Sequence, residues 1–106
     1  MIRFAAIVFA ALILPSIAHA QDATVRRGKV IVERNCARCH AVGRQGTSPL
    51  AKAPPFRELS RRYPVDFLAE SLAEGITTGH KEMPAFQFKP NEIEQILAYL
   101  RSLSPR

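Results

Sequence analysis

The strongest chemical signal in this sequence is Cys36-Ala37-Arg38-Cys39-His40. Thiols at i and i+3 on a helical turn project from one side of the backbone. Placed so, they reach the two vinyl groups along one edge of a haem and can form thioether bonds with them. The adjacent His40 points into the same space and offers a ring nitrogen to the iron. The five-residue pattern is the attachment signature of haem c, here one covalently bound group per chain.

Other uses of the same residues fit less well. A redox CxxC belongs in a thioredoxin-like βαβ context, and no alternating strand pattern of useful length is present. A zinc site needs two more well-spaced ligands, and neighbouring residues such as Cys39 and His40 could hardly both bind one tetrahedral ion. A disulfide at this spacing closes a very small loop and stabilises little.

A haem held by one histidine leaves its other face to be accounted for. The candidates lie in His80-Lys81-Glu82-Met83-Pro84. A thioether is a soft ligand that favours the ferrous state, and a His/Met pair is the common electron-transfer arrangement. Met83 is the one methionine besides Met1, and Pro84 stiffens the chain beside it. An isolated Met would ordinarily be read as a gap-filling core residue. Beside a CxxCH and on a Gly/Pro-marked loop, Met83 is the expected ligand. His80 is the alternative, and Lys81 could replace Met83 at high pH.

The elements that must position these residues are helical. Val25, Gly28, Ile31 and Val32 recur at spacings of three and four, which predicts a helix from Asp22 running into Cys36. A loop over 41–55 is rich in Gly, Ser and Pro. A short helix is expected over Phe56–Ser60. Another has Pro64 in its first turn, Asp66 at its positive end, Phe67, Leu68 and Leu72 on its apolar side, and Gly75 as its stop. A second loop covers 76–89. The last helix begins near Pro90, with Ile93, Ile96, Leu97, Leu100 and Leu103 in one stripe. Lys89 is a poor N-cap for it, partly offset by Glu92 and Glu94. The fold class is therefore all-α.

The N-terminus reads as an address. Met1-Ile2-Arg3 is a short basic start, Phe4–Leu14 is an unbroken apolar run, and Ala18-His19-Ala20 is a small-x-small cleavage site. The run is shorter than the roughly 20 residues that span a bilayer core. Residues 1–20 are thus expected to be a cleaved signal peptide and 21–106 the mature domain, in the periplasm. A domain that small has a marginal core and often needs a staple. Covalent haem is the one visible candidate.

The whole chain carries a formal charge of +6 and has a sequence pI near 10.0. Loss of Arg3 with the signal leaves the mature domain at about +5. Such a surface suits an acidic protein partner or an anionic membrane face. Nucleic acid is not expected, because export separates the chain from it and the Lys/Arg residues form no long run.

Taken together, these residues resemble class I cytochrome c, in its small, bacterial, mono-haem branch. The resemblance covers essentially the whole mature chain. It rests on Gly28 eight residues before Cys36, on the CxxCH, on Met83-Pro84 in a late loop, and on Leu97-Ala98-Tyr99-Leu100 in the last helix. It implies a small cytochrome c fold, three to five helices around one covalently attached haem, with the first and last helices crossing at Gly28. Tyr99 and Leu100 would pack there with Ile31 or Val32. It also implies that a backbone carbonyl of Pro54 or Pro55 orients His40. The stretch between His40 and Met83 is short and there is no Trp, so the propionate partners stay open among Arg44, Lys52, Arg57, Thr77 and Thr78.

The expected function is a single-electron carrier between periplasmic redox proteins, with no enzymatic activity. Lys29, Arg38, Lys81 and Lys89 would help steer acidic docking faces. A monomer is expected, in places peripheral to membrane complexes. Two other readings use the same haem: an enzyme or gas sensor with an open sixth coordination site, or a dedicated electron-accepting subunit of a periplasmic dehydrogenase.

Overall fold

The apolar stripe of the last helix needs a partner, and the first helix supplies it. The computed structural model of the chain describes residues 16–75 and 82–105. Among these, all regular structure is helical. Helix α1 spans Ser16–Asn35, α2 Leu59–Arg62, α3 Leu68–Glu74 and α4 Pro90–Ser102, with 3₁₀ turns at Phe56–Glu58 and Val65–Phe67. Helix α4 buries Ile93, Ile96, Leu97, Tyr99 and Leu100. They pack with Val32 of α1, which is fully buried, and with Leu59, Val65, Leu72 and Leu103. The expected core stripe is thus the observed one, with Ile31 partly buried against it.

The crossing of α1 on α4 is set by Gly28. A Cβ built there would lie 1.9 Å from the carbonyl oxygen of Gln95 and 2.9 Å from Cβ of Tyr99. Only a residue without a side chain lets the two backbones meet so closely. From this contact Tyr99 reaches back to the loop after His40, where its hydroxyl donates to the carbonyl of Val42 at 2.5 Å. Burial chiefly, then the nearby Glu33 carboxylate, raises the Tyr99 pKa, opposed by Arg44. The phenol therefore stays protonated and remains a donor at neutral pH.

Helix α1 begins at Ser16, earlier than the Asp22 expected from periodicity. Residues Ala18–Asp22 are exposed, so no apolar pattern marks this first stretch. Thr24 Oγ1 donates back to the carbonyl of Ala20 there.

The middle of the chain is tighter than its sequence pattern implies. The expected short helix is a 3₁₀ turn at Phe56–Glu58 that continues into α2. Pro64 directly precedes the second 3₁₀ turn, and its carbonyl accepts from Phe67 N–H at 3.1 Å. In a 3₁₀ turn residues three apart eclipse, so Val65 and Leu68 share a side and Phe67 swings outward. Phe67 is 73% exposed, against the expectation that it joins the apolar side. Asp66 pairs with the Arg101 guanidinium of α4. That pair is exposed and contributes little to stability. Gly75 ends α3 with φ +99°, a left-handed conformation that favours glycine.

Lys89 proves a half-cap. Its ammonium cannot accept a hydrogen bond, but its backbone N–H donates to Glu92 Oε1 at 3.1 Å, and Pro90 occupies the first helical position. Among the described residues, no helix is long and apolar enough to cross a membrane.

Gly28→Ala should destabilise the haem-loaded protein by about 2–3 kcal/mol, because the clash is with backbone rather than a movable side chain. A denaturant titration followed at the haem absorption band would measure it. An unchanged midpoint would mean that α1 and α4 do not meet at Gly28.

Candidate haem-binding site

The attachment residues sit where α1 runs out. Cys36 N–H donates to Val32 O at 2.8 Å, Cys39 N–H to Cys36 O at 3.2 Å, and His40 N–H to Cys36 O at 2.9 Å. These bonds carry one further turn past Asn35, so the thiols at 36 and 39 share a side and His40 comes directly after them. Both cysteines are half-buried. Burial pushes the Cys36 thiol, while unattached, up to about 11.

The loop after His40 folds back under the imidazole. Leu50 N–H donates to Cys39 O at 3.1 Å, and Phe56 N–H to Ala41 O at 2.9 Å. Ser48, buried, accepts from Ala41 N–H at 3.0 Å. This folding brings the carbonyl oxygen of Pro54 to 2.8 Å from His40 Nδ1. A carbonyl can only accept, so the proton sits on Nδ1 and the lone pair of Nε2 is left for a metal. Of the two prolines left open by the sequence, Pro54 makes this bond. The Phe56 ring flanks the imidazole, with centroids 4.7 Å apart and planes at 40°.

Cys36, Cys39, His40 and Met83 all line one cavity of about 400 Å³. Leu50, Ala53, Phe56 and Phe86 give it apolar walls, and Pro84 follows Met83 along it. The segment after Met83 is held down where Phe88 N–H donates to Leu72 O at 2.9 Å. Phe86 and Phe88 stack with centroids 5.6 Å apart. Two thiols on one wall, a tautomer-locked imidazole, a thioether and apolar walls form the donor set and surroundings of haem c. The residues present fit that group.

The charged residues sort by position. Arg34, Arg38, Lys52 and Glu82 line the cavity. Arg44 and Arg57 do not, and Arg44 Nη2 donates instead to Ser102 O at 2.8 Å. Lys29 lies 3.8 Å from Glu33 on α1, and Lys89 lines a groove beside α1. Thr77, Thr78, His80 and Lys81 fall outside the described residues. Sequence reasoning missed three contributors. Ser48 carried no signal beyond its place in a Gly-, Ser- and Pro-rich loop, and Phe56 none beyond opening the expected short helix. Arg34 is two residues before Cys36, where the turn that presents the thiols also presents its neighbours.

Comparison with known proteins agrees with this geometry. Residues 23–100 match the family model described as cytochrome c oxidase, cbb3-type, subunit III. Cytochrome c-552 of Bradyrhizobium diazoefficiens is 35% identical over 90 residues, covering 85% of this chain and 85% of that protein. Cytochrome c6 of Nostoc sp. is 36% identical over 78 residues, covering 69% of this chain and 65% of that protein. No solved structure gives a significant match. Carrying the attachment motif on an all-helical fold, the chain belongs to this cytochrome c family, as a small class I c-type cytochrome with covalently bound haem c and a role in electron transport.

Proposed function

We propose that the mature protein, residues 21–106 after cleavage near Ala20, carries single electrons between periplasmic redox proteins and performs no bond chemistry of its own. In this reading Cys36 and Cys39 would hold the haem through thioethers, and His40 and Met83 would ligate its iron. The observation that carries it is the single cavity lined by all four side chains.

When bound, haem c supplies reversible one-electron chemistry at its iron. The protein's part is to hold it and set its surroundings. The Pro54 carbonyl fixes the imidazole and strengthens His40 as a donor. Met83 brings a soft thioether that favours the reduced state. With both residues bound to it, the iron would have no open position for dioxygen or a substrate. Arg34, Arg38 and Lys52 against Glu82 make the mouth of the cavity basic, which supports docking on acidic faces of redox partners. The protein would dock transiently as a monomer, and a family description that names an oxidase subunit supports docking, in places, on membrane redox complexes.

Ferric and ferrous spectra of the haem-loaded protein should be low-spin, with a weak far-red ferric band lost in Met83→Ala. Carbon monoxide should bind the variant and not the wild type. Ready binding by wild type would overturn Met83 ligation and favour an open iron face. The intact mass of exported protein should equal residues 21–106 plus one haem; a mass retaining residues 1–20 would mean an uncleaved anchor. Oxidation by an anionic complex such as ferricyanide should slow as salt rises, while oxidation by a cationic complex should quicken. The opposite dependences would rule out a basic transfer face.

A further inference from the structure

A second group of cations gathers away from the haem site. Arg44 comes from the loop after His40, Arg57 from the first 3₁₀ turn and Arg61 from α2, and all three line a cavity of about 550 Å³ beside the C-terminal end of α4. Ser102 and Ser104 line it too, and Glu58 is the one carboxylate among its described lining residues. No described residue lines both this cavity and the haem cavity. Three guanidinium groups against one carboxylate leave it positive.

One of these arginines is also under-satisfied. Nη1 of Arg57 is buried and has no hydrogen-bond partner among the described residues. Buried donors on charged groups are rarely left unpaired, because desolvation is then uncompensated. The carbonyl end of α4 would by itself repel an anion, but Arg44 already donates to Ser102 O at 2.8 Å. Ser102 Oγ is engaged with Tyr99 O at 2.5 Å, so the cavity's remaining side-chain donors are the guanidinium N–H groups of Arg57 and Arg61, with those of Arg44 not given to Ser102.

We propose that this cavity is an oxyanion site that takes a phosphate group. The planar, forked guanidinium matches two oxygens of a phosphate better than it matches a spherical anion. The cavity is in the size range of small-molecule sites, so it has room for a phosphate monoester as well as inorganic phosphate. Bound anion would bridge the loop of Arg44, which begins at His40, to α2. It would thereby stabilise the haem side of the fold by mass action. The phosphate source is either a free phosphate or the headgroup of a lipid phosphomonoester.

The test uses haem-loaded wild type, Arg57→Gln and Arg61→Gln, with thermal melts and calorimetric titration of inorganic phosphate against chloride at matched ionic strength. Wild type should show a saturable rise in Tm with phosphate and none with chloride. Each variant should bind phosphate roughly tenfold or more weakly, the loss expected for one charge-assisted hydrogen bond, with its haem spectrum unchanged. Equal stabilisation by chloride, or unchanged phosphate affinity in both variants, would overturn the assignment. If Arg57→Gln fails to fold, Arg61→Gln decides, since Arg61 is exposed. Vesicles then separate the sources. Arginine-dependent preference for phosphatidic acid over phosphatidylglycerol identifies a lipid headgroup, and phosphate binding without that preference identifies a free ligand.

Discussion

Helices α1 and α4 touch backbone to backbone, and the placement of the haem site depends on that contact. A side chain at position 28 would fall inside the van der Waals shell of Gln95 O, so the close approach exists only because position 28 has none. The approach fixes where α1 ends relative to α4. Since Cys36, Cys39 and His40 extend α1 by one turn, it also fixes where the haem attachment lies against the core. Tyr99 is next to Gly28 in the crossing and also bonds Val42 in the loop beyond His40. One helix pair therefore positions both the motif and the loop that folds under it.

His40, the iron ligand of the proposed reading, illustrates how such a small fold can prepare a metal ligand. Its hydrogen-bond partner is not a second side chain. The orientation of the imidazole comes from a main-chain carbonyl of Pro54, from a flanking Phe56 ring, and from a loop stitched back to residues 39 and 41. Proline has no N–H to satisfy, and its fixed φ limits the ways its carbonyl can turn. A carbonyl acceptor also admits only one imidazole tautomer, the one that leaves Nε2 available. Backbone geometry thus takes the place of an outer coordination shell.

Charge is distributed in two places with different consequences. The haem cavity is lined by Arg34, Arg38 and Lys52, which are exposed and, in the proposed reading, would act on partners at long range. The cavity beside the end of α4 has Arg44, Arg57 and Arg61, one of them with a donor shut away from water. An exposed cation is solvated and steers weakly. A buried donor is a stronger demand on its surroundings, because no water compensates it.

What the sequence by itself determined was whatever depends on short-range spacing. The attachment motif, the four-residue and three-residue rhythm of α1 and α4, and the stop at Gly75 are all local, and each appears where the pattern puts it. The choice of Pro54 over Pro55 was decided by tertiary structure, because it turns on which carbonyl the folded loop aims at His40. So was the outward turn of Phe67, since two 3₁₀ turns break the helical period that a sequence stripe assumes. The separation of Arg44 and Arg57 from the haem cavity was likewise invisible to spacing. Long side chains on loops reach in any direction, and only the packing of distant segments selects one.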